Sequence, residues 1–103
     1  VQEKRRHPRV TVSIPVVCEI PDKPPLSAVV TDLSVGGLSI QAEWAAPAFG
    51  TQLTIVGDFP GAPGVRLPAV VRWTKPGGFG VQFGLLGARE THLLTTLVHR
   101  SRD

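Results

Sequence analysis

From Val10 to Ile20 the chain is apolar at every second position: Val10, Val12, Ile14, Val16, Cys18 and Ile20. Thr11, Ser13 and Glu19 fall on the other parity. Side chains alternate across a strand, so this pattern predicts a long strand with one buried face. Pro15 lies on the outward parity and suits an edge or a bulge, because it brings no N–H to a ladder. Residues 21–25, PDKPP, are a turn. Residues 26–32 and 37–42 read as the second and third strands, with Leu38, Ile40 and Ala42 alternating with Ser39 and Gln41. AEWAAPAFG (42–50) is a loop, and TQLTIVG (51–57) is a fourth strand with Leu53 and Ile55 in phase. DFPGAPG (58–64) reads as a further loop. VRLPAVVRWT (65–74) is a fifth strand whose Val65, Leu67, Ala69, Val71 and Trp73 share a face, which puts Trp73 in the core. KPGG turns the chain into FGVQF (79–83), where Phe79, Val81 and Phe83 are in phase.

Six short strands with Gly and Pro between them point to a small barrel or sandwich. The period then changes. Leu86, Leu93, Leu94, Leu97 and Val98 fall near one helical stripe, with Arg89, His92 and Arg100 largely off it. A terminal helix of about three turns, packed on the strands, is expected. The organisation is one domain: an arginine-rich loop over 1–9, expected to be flexible, a β-unit over 10–84, and a helix and tail over 85–103.

Composition narrows the class. The chain has 103 residues, 42% hydrophobic and 18% charged, which is globular rather than disordered. No apolar run approaches the roughly 20 residues of a membrane span, and no signal-peptide pattern is present. The sequence has no Met, so a processed chain or a segment of a longer protein is expected. Cys18 is the one cysteine and reads as a buried, inert thiol. Nothing calls for an oxidising compartment, and a cytoplasmic location is expected. The net charge is +3, and residues 1–9 carry all of it through Lys4, Arg5, Arg6 and Arg9 against Glu3. A basic stretch of this kind is a solvated tail, a nucleic-acid arm or an anion clamp.

Several chemistries fail on spacing. His92 and His99 are seven apart, about 10.5 Å along a helix, whereas a zinc pair on a helix uses a spacing of four. His7 sits among arginines that repel a cation. No metal site is expected. Ser34 lacks the preceding Gly of a nucleophile elbow, and no catalytic triad is visible. GGFGVQFG lacks the Lys-Ser/Thr of a phosphate loop. The chain does not read as an enzyme, and no cofactor is implied.

Two features remain. Arg5 and Arg9 are four apart with Pro8 between them, which disfavours a helix there. Asp32 and Ser34 precede Gly36 and Gly37 and lie two apart, so on a strand they face the same side. A solvated tail and an ordinary turn are the plain readings. Together the features suggest a ligand. Guanidinium groups pair with phosphate and with guanine O6 and N7. A carboxylate accepts from the guanine N1–H and N2 edge, a hydroxyl bonds phosphate or a ring nitrogen, and Gly admits a flat base. Chemistry alone reaches a purine with phosphate, guanine preferred.

Arg5-Arg6-His7-Pro8-Arg9 resembles the RxxxR motif of the PilZ domain family, and Asp32-Leu33-Ser34-Val35-Gly36-Gly37 resembles its second motif, [D/N]xSxxG. The likeness continues through Gly50-Thr51, the VVRW segment, Gly78 to Phe83 and the leucine-rich terminal helix. It thus spans essentially the whole chain. The resemblance implies a six-stranded antiparallel β-barrel with a C-terminal α-helix, binding bacterial cyclic di-GMP. It implies that Arg5 and Arg9 clasp guanine and phosphate, that Asp32 and Ser34 hold the ligand against the barrel, and that Gly37 leaves room. Arg6 and Trp73 are additional candidate contacts, Trp73 by base stacking. The implied partners are the dinucleotide and an adjacent domain or downstream effector, with no specific nucleic acid and no membrane insertion. Two rival classes are a protein-interaction barrel without the ligand and a barrel for single-stranded nucleic acid. The latter needs exposed aromatics over a basic groove.

Overall fold

The computed structural model describes residues 9–102. Its strands are β1 (Val10–Glu19), β2 (Leu26–Leu33), β3 (Gly37–Gln41), β4 (Gln52–Phe59), β5 (Ala62–Lys75) and β6 (Gly78–Phe83), followed by α1 (Ala88–Arg102). All pairings are antiparallel, and the sheet closes as a barrel in the order β1-β2-β3-β6-β5-β4. The choice between barrel and sandwich is thereby made. Closure also leaves no edge strand for Pro15. It lies beside Val16↔Gly57, where the pairing of β1 with β4 ends.

The inward parity of the strands fills the interior. Ile14, Val16, Cys18, Val30, Ile40, Ile55, Leu67, Val71 and Phe79 are all buried. Each such aliphatic or aromatic side chain contributes about 1.5–3 kcal/mol on leaving water. No polar or charged residue is buried among those described. Leu94, Leu97 and Val98 of α1 join the same core, so the helix covers apolar surface that the strands cannot. It is 15 residues long, about four turns rather than three.

Two expectations about the strands are corrected. Residues 58–64 are not a free loop. β4 and β5 run on through them to the pair Phe59↔Ala62, joined by the two-residue turn Pro60-Gly61. Proline sets the first φ of that turn, and Gly61 supplies the positive φ of 79° that the second position requires. Phe59 is consequently a core residue. Trp73 is not in the core. β5 carries one extra residue between Val71↔Val81 and Trp73↔Gly80, and this bulge breaks the strict alternation on which the inward assignment rests. Trp73 is 36% exposed on the outside of the barrel. Phe83 and Val65, also on inward parity, are only half-buried.

Candidate functional site

Register brings Arg9, the described member of the arginine pair, to the second sequence feature. Val10 pairs with Leu33 and Thr11 with Asp32, so the residue entering β1, Arg9, stands beside the turn that leaves β2. Arg9 is exposed there. Arg5 and Arg6, and the arginine loop over 1–9 apart from Arg9, lie outside the described residues.

Asp32 owes its orientation to a bulge. β2 has one extra residue relative to β3 between Val30↔Ile40 and Asp32↔Ser39. Val30 and Leu33 are therefore both buried although they are three apart, and Asp32 is left half-buried on the outer face. Without the bulge, simple alternation from Val30 would aim Asp32 inward. An unpaired carboxylate there would cost several kcal/mol or would stay protonated.

Ser34 builds the turn between β2 and β3. Its Oγ accepts from the N–H groups of Gly36 (3.2 Å) and Gly37 (3.1 Å) and donates to the Gly37 carbonyl oxygen at 3.3 Å. The Ser34 N–H donates to the same carbonyl at 3.0 Å. The Phe83 N–H donates to the Gly36 carbonyl at 3.0 Å, which ties the turn to the end of β6. The hydroxyl is thus already engaged on both its donor and acceptor sides. At Gly37 a Cβ would collide with the Val81 carbonyl of β6. The space its missing side chain leaves is filled by the neighbouring strand.

These pieces border one cleft of about 200 Å³ across the outer face of β2, β3, β6 and β5. Every described residue of the expected set, namely Arg9, Asp32, Ser34, Gly37 and Trp73, lines it. Trp73 lies over Gly80, where a Cβ would strike the indole ring, so this glycine seats the aromatic plane on the barrel wall. Lys75 Nζ stands 5.6 Å from the centre of that ring, within cation–π range. The cleft thus combines cationic donors, one carboxylate and one aromatic face.

Three polar side chains of the lining were missed from sequence: Ser39, Arg72 and Gln82. Ser39 and Gln82 carry an outward-parity signal, since each neighbours a core position on its strand. Arg72 carries the same signal, standing between positions 71 and 73, but strict alternation puts Trp73 on the opposite face. Only the bulge lets adjacent residues share the cleft.

A larger groove of about 940 Å³ runs over Pro15, Val17, Val29 and Val56 on β1, β2 and β4. Its charged residues are Glu43 and Asp58, both acidic, so it offers a phosphate nothing but repulsion. Size favours the groove, but charge favours the smaller cleft as the anion site. Among the described residues no cluster of His, Cys, Asp and Glu has the makings of a metal site. No helix there is long and apolar enough to cross a membrane. Burial pushes the Cys18 thiol up from an ordinary 9.0 to about 11.

The family model described as PilZ domain matches residues 3–100 of the chain. No curated protein matches it. Among solved structures, the PilZ domain of CeSA from a cellulose-synthesizing bacterium superposes with a TM-score of 0.75 at 22% identity, over 93% of this chain and 99% of that one. The PilZ domain of YcgR from Escherichia coli, solved with c-di-GMP, gives 0.78 at 16% identity, over 97% and 92%. The inhibitor of motility MotI/DgrA of Bacillus subtilis gives 0.81 at 16% identity, over 98% of this chain and 52% of that one.

Proposed function

Because the chain belongs to the PilZ domain family, we propose that it is a cytoplasmic bacterial receptor module that binds cyclic di-GMP in the cleft of Arg9, Asp32, Ser34, Gly37 and Trp73. The observation that carries this reading is convergence. Arg9, the last residue of the first motif, stands beside the second motif through the antiparallel register of β1 and β2, and every described member of the expected set borders one cleft. Cyclic di-GMP matches that cleft chemically. It offers phosphates to guanidinium groups, a guanine donor edge to Asp32, and a flat base to the indole of Trp73.

In this mechanism Arg5 and Arg9, with Arg6 as a further contact, bridge the dinucleotide to the barrel. Asp32 accepts from a guanine, and Ser34 acts chiefly by holding the turn that presents the backbone of Gly36 and Gly37. The ligand cancels repulsion among Lys4, Arg5, Arg6 and Arg9 and orders residues 1–9. That ordering is the signal relayed to an adjacent domain or a downstream effector. The module is a receptor and carries out no chemistry on its ligand.

Calorimetric titration with cyclic di-GMP, beside GTP, cyclic GMP and a short oligonucleotide, tests the proposal. Low-micromolar or tighter binding of the dinucleotide alone is expected. Arg5→Ala and Arg9→Ala each remove charge-assisted bonds worth roughly 1.5–3 kcal/mol, a loss of about 10- to 150-fold in affinity. Asp32→Ala weakens binding and leaves the fold intact. Amide exchange of residues 3–10 slows when ligand is added. Silence at millimolar cyclic di-GMP overturns the assignment, and unchanged exchange overturns the ordering mechanism.

A further inference from the structure

We propose that Arg72 is a further ligand-binding arginine of this cleft, contacting a phosphate of the cyclic dinucleotide at a distance from the base that Asp32 holds. The proposal rests on the cyclic di-GMP reading above.

Position is the first argument. Arg72 follows buried Val71 and faces outward by ordinary alternation, and the bulge in β5 turns Trp73 out beside it on the same cleft. Bulges commonly re-aim a side chain beside a functional site. The second argument is how the guanidinium is held. Its Nε donates to Gln82 Oε1 at 2.8 Å, and its Cζ stands 5.9 Å from the centre of the Phe49 ring. Phe49 is 67% exposed, and one role its placement supports is to steady this cation. Both contacts leave the two terminal amino groups of Arg72 unengaged among the described residues. That edge of the guanidinium matches two phosphate oxygens. No carboxylate pairs with Arg72 among the described residues, whereas Arg66, further along the same strand, is paired with Glu19 at 2.6 Å.

The third argument is reach. β5 lies three inter-strand steps from β2, through β6 and β3. At about 4.8 Å per step the path along the curved wall is roughly 14 Å, so the two side chains enter the cleft from different strands. Asp32 suits a guanine donor edge and Arg72 a phosphate, so the two hold different parts of the ligand. Arg9 and Arg72 both line the cleft, and a ligand with two phosphates gives each a partner.

The test is cyclic di-GMP titration at two salt concentrations with the wild type, Arg72→Ala, Arg72→Lys and Asp32→Ala. Thermal melts serve as a fold control. Arg72→Ala is expected to melt as the wild type does and to bind about 10-fold more weakly, with a shallower salt dependence, because a screened ion contact is gone. Arg72→Lys should recover part of the affinity, keeping the charge but losing the planar fork. Wild-type affinity in Arg72→Ala, with Asp32→Ala impaired, overturns the role of Arg72 alone. Weakened binding with an unchanged salt slope and no recovery in the lysine variant overturns the phosphate contact and assigns a base edge instead. No binding by the wild type overturns the cyclic di-GMP reading itself, and this proposal with it.

Discussion

Ser34 and Cys18 show how far a single side chain's surroundings decide its role. Ser34 looks like a ligand hydroxyl in sequence, yet its oxygen is occupied by two backbone N–H groups of its own turn. Ser34→Ala frees those donors, and at roughly 0.5–1.5 kcal/mol per bond the domain should lose about 1–3 kcal/mol. Urea denaturation measures this, and an unchanged midpoint would mean that water replaces the hydroxyl at no cost. Cys18 is fully buried opposite Ile55 in β4. Its thiol is raised from 9.0 to about 11 in the folded chain by desolvation. The folded state therefore holds the proton more tightly than the unfolded state. The stabilisation is complete below pH 9 and disappears as pH rises through 11. Relative to Cys18→Ala, the wild type should lose melting temperature between these pH values. Parallel curves would show that the thiol does not titrate with unfolding.

At the scale of elements, bulges and the helix do the work that regular strands cannot. The extra residue in β2 turns Asp32 outward, and the extra residue in β5 brings Arg72 and Trp73 onto the same cleft. Both lie beside the proposed site, where departures from ideal strands are expected. The helix is held by few residues. Leu94 and Val98 are fully buried and Leu97 nearly so, whereas Leu85, just before the helix, is 97% exposed. Leu94→Ala should cost about 2–5 kcal/mol, as large-to-small core changes do. Leu85→Ala should stay within about 0.5 kcal/mol, as surface changes do. Denaturant midpoints of the two variants would separate the cases. A similar cost for both would mean that the helix does not dock as described.

At the scale of the whole molecule, a closed barrel is a rigid wall on which a ligand is assembled from outside. The core is apolar throughout among the described residues, and the residues of the candidate cleft sit on one outer face. A ligand on that face binds the folded chain and not the unfolded one. Cyclic di-GMP at 100 times its dissociation constant should therefore add about 2.7 kcal/mol of stability. For a domain of this length that is a rise of about 10–20 °C in melting temperature. A thermal melt with cyclic di-GMP should show the rise, and GTP should give none. Equal shifts with both nucleotides would remove the specificity argued here.

What the sequence determined by itself is the all-β class, the six strands in order, the terminal helix, the apolar parity of the regular strands and the pair of motifs. Each of these is written in local periodicity and turn chemistry, which need no knowledge of distant contacts. Val10 to Ile20 is the clearest case, since every second residue there announces the buried face. Only the tertiary structure decided that the sheet closes, that Arg9 lands beside Ser34, and that β4 and β5 extend through the Pro60-Gly61 turn. It also decided the places where alternation fails. A single extra residue in a strand changes which way every later side chain faces, and its position depends on the partner strand. For that reason Trp73 read as core from its own strand and stands on the cleft in the fold, with Arg72 beside it.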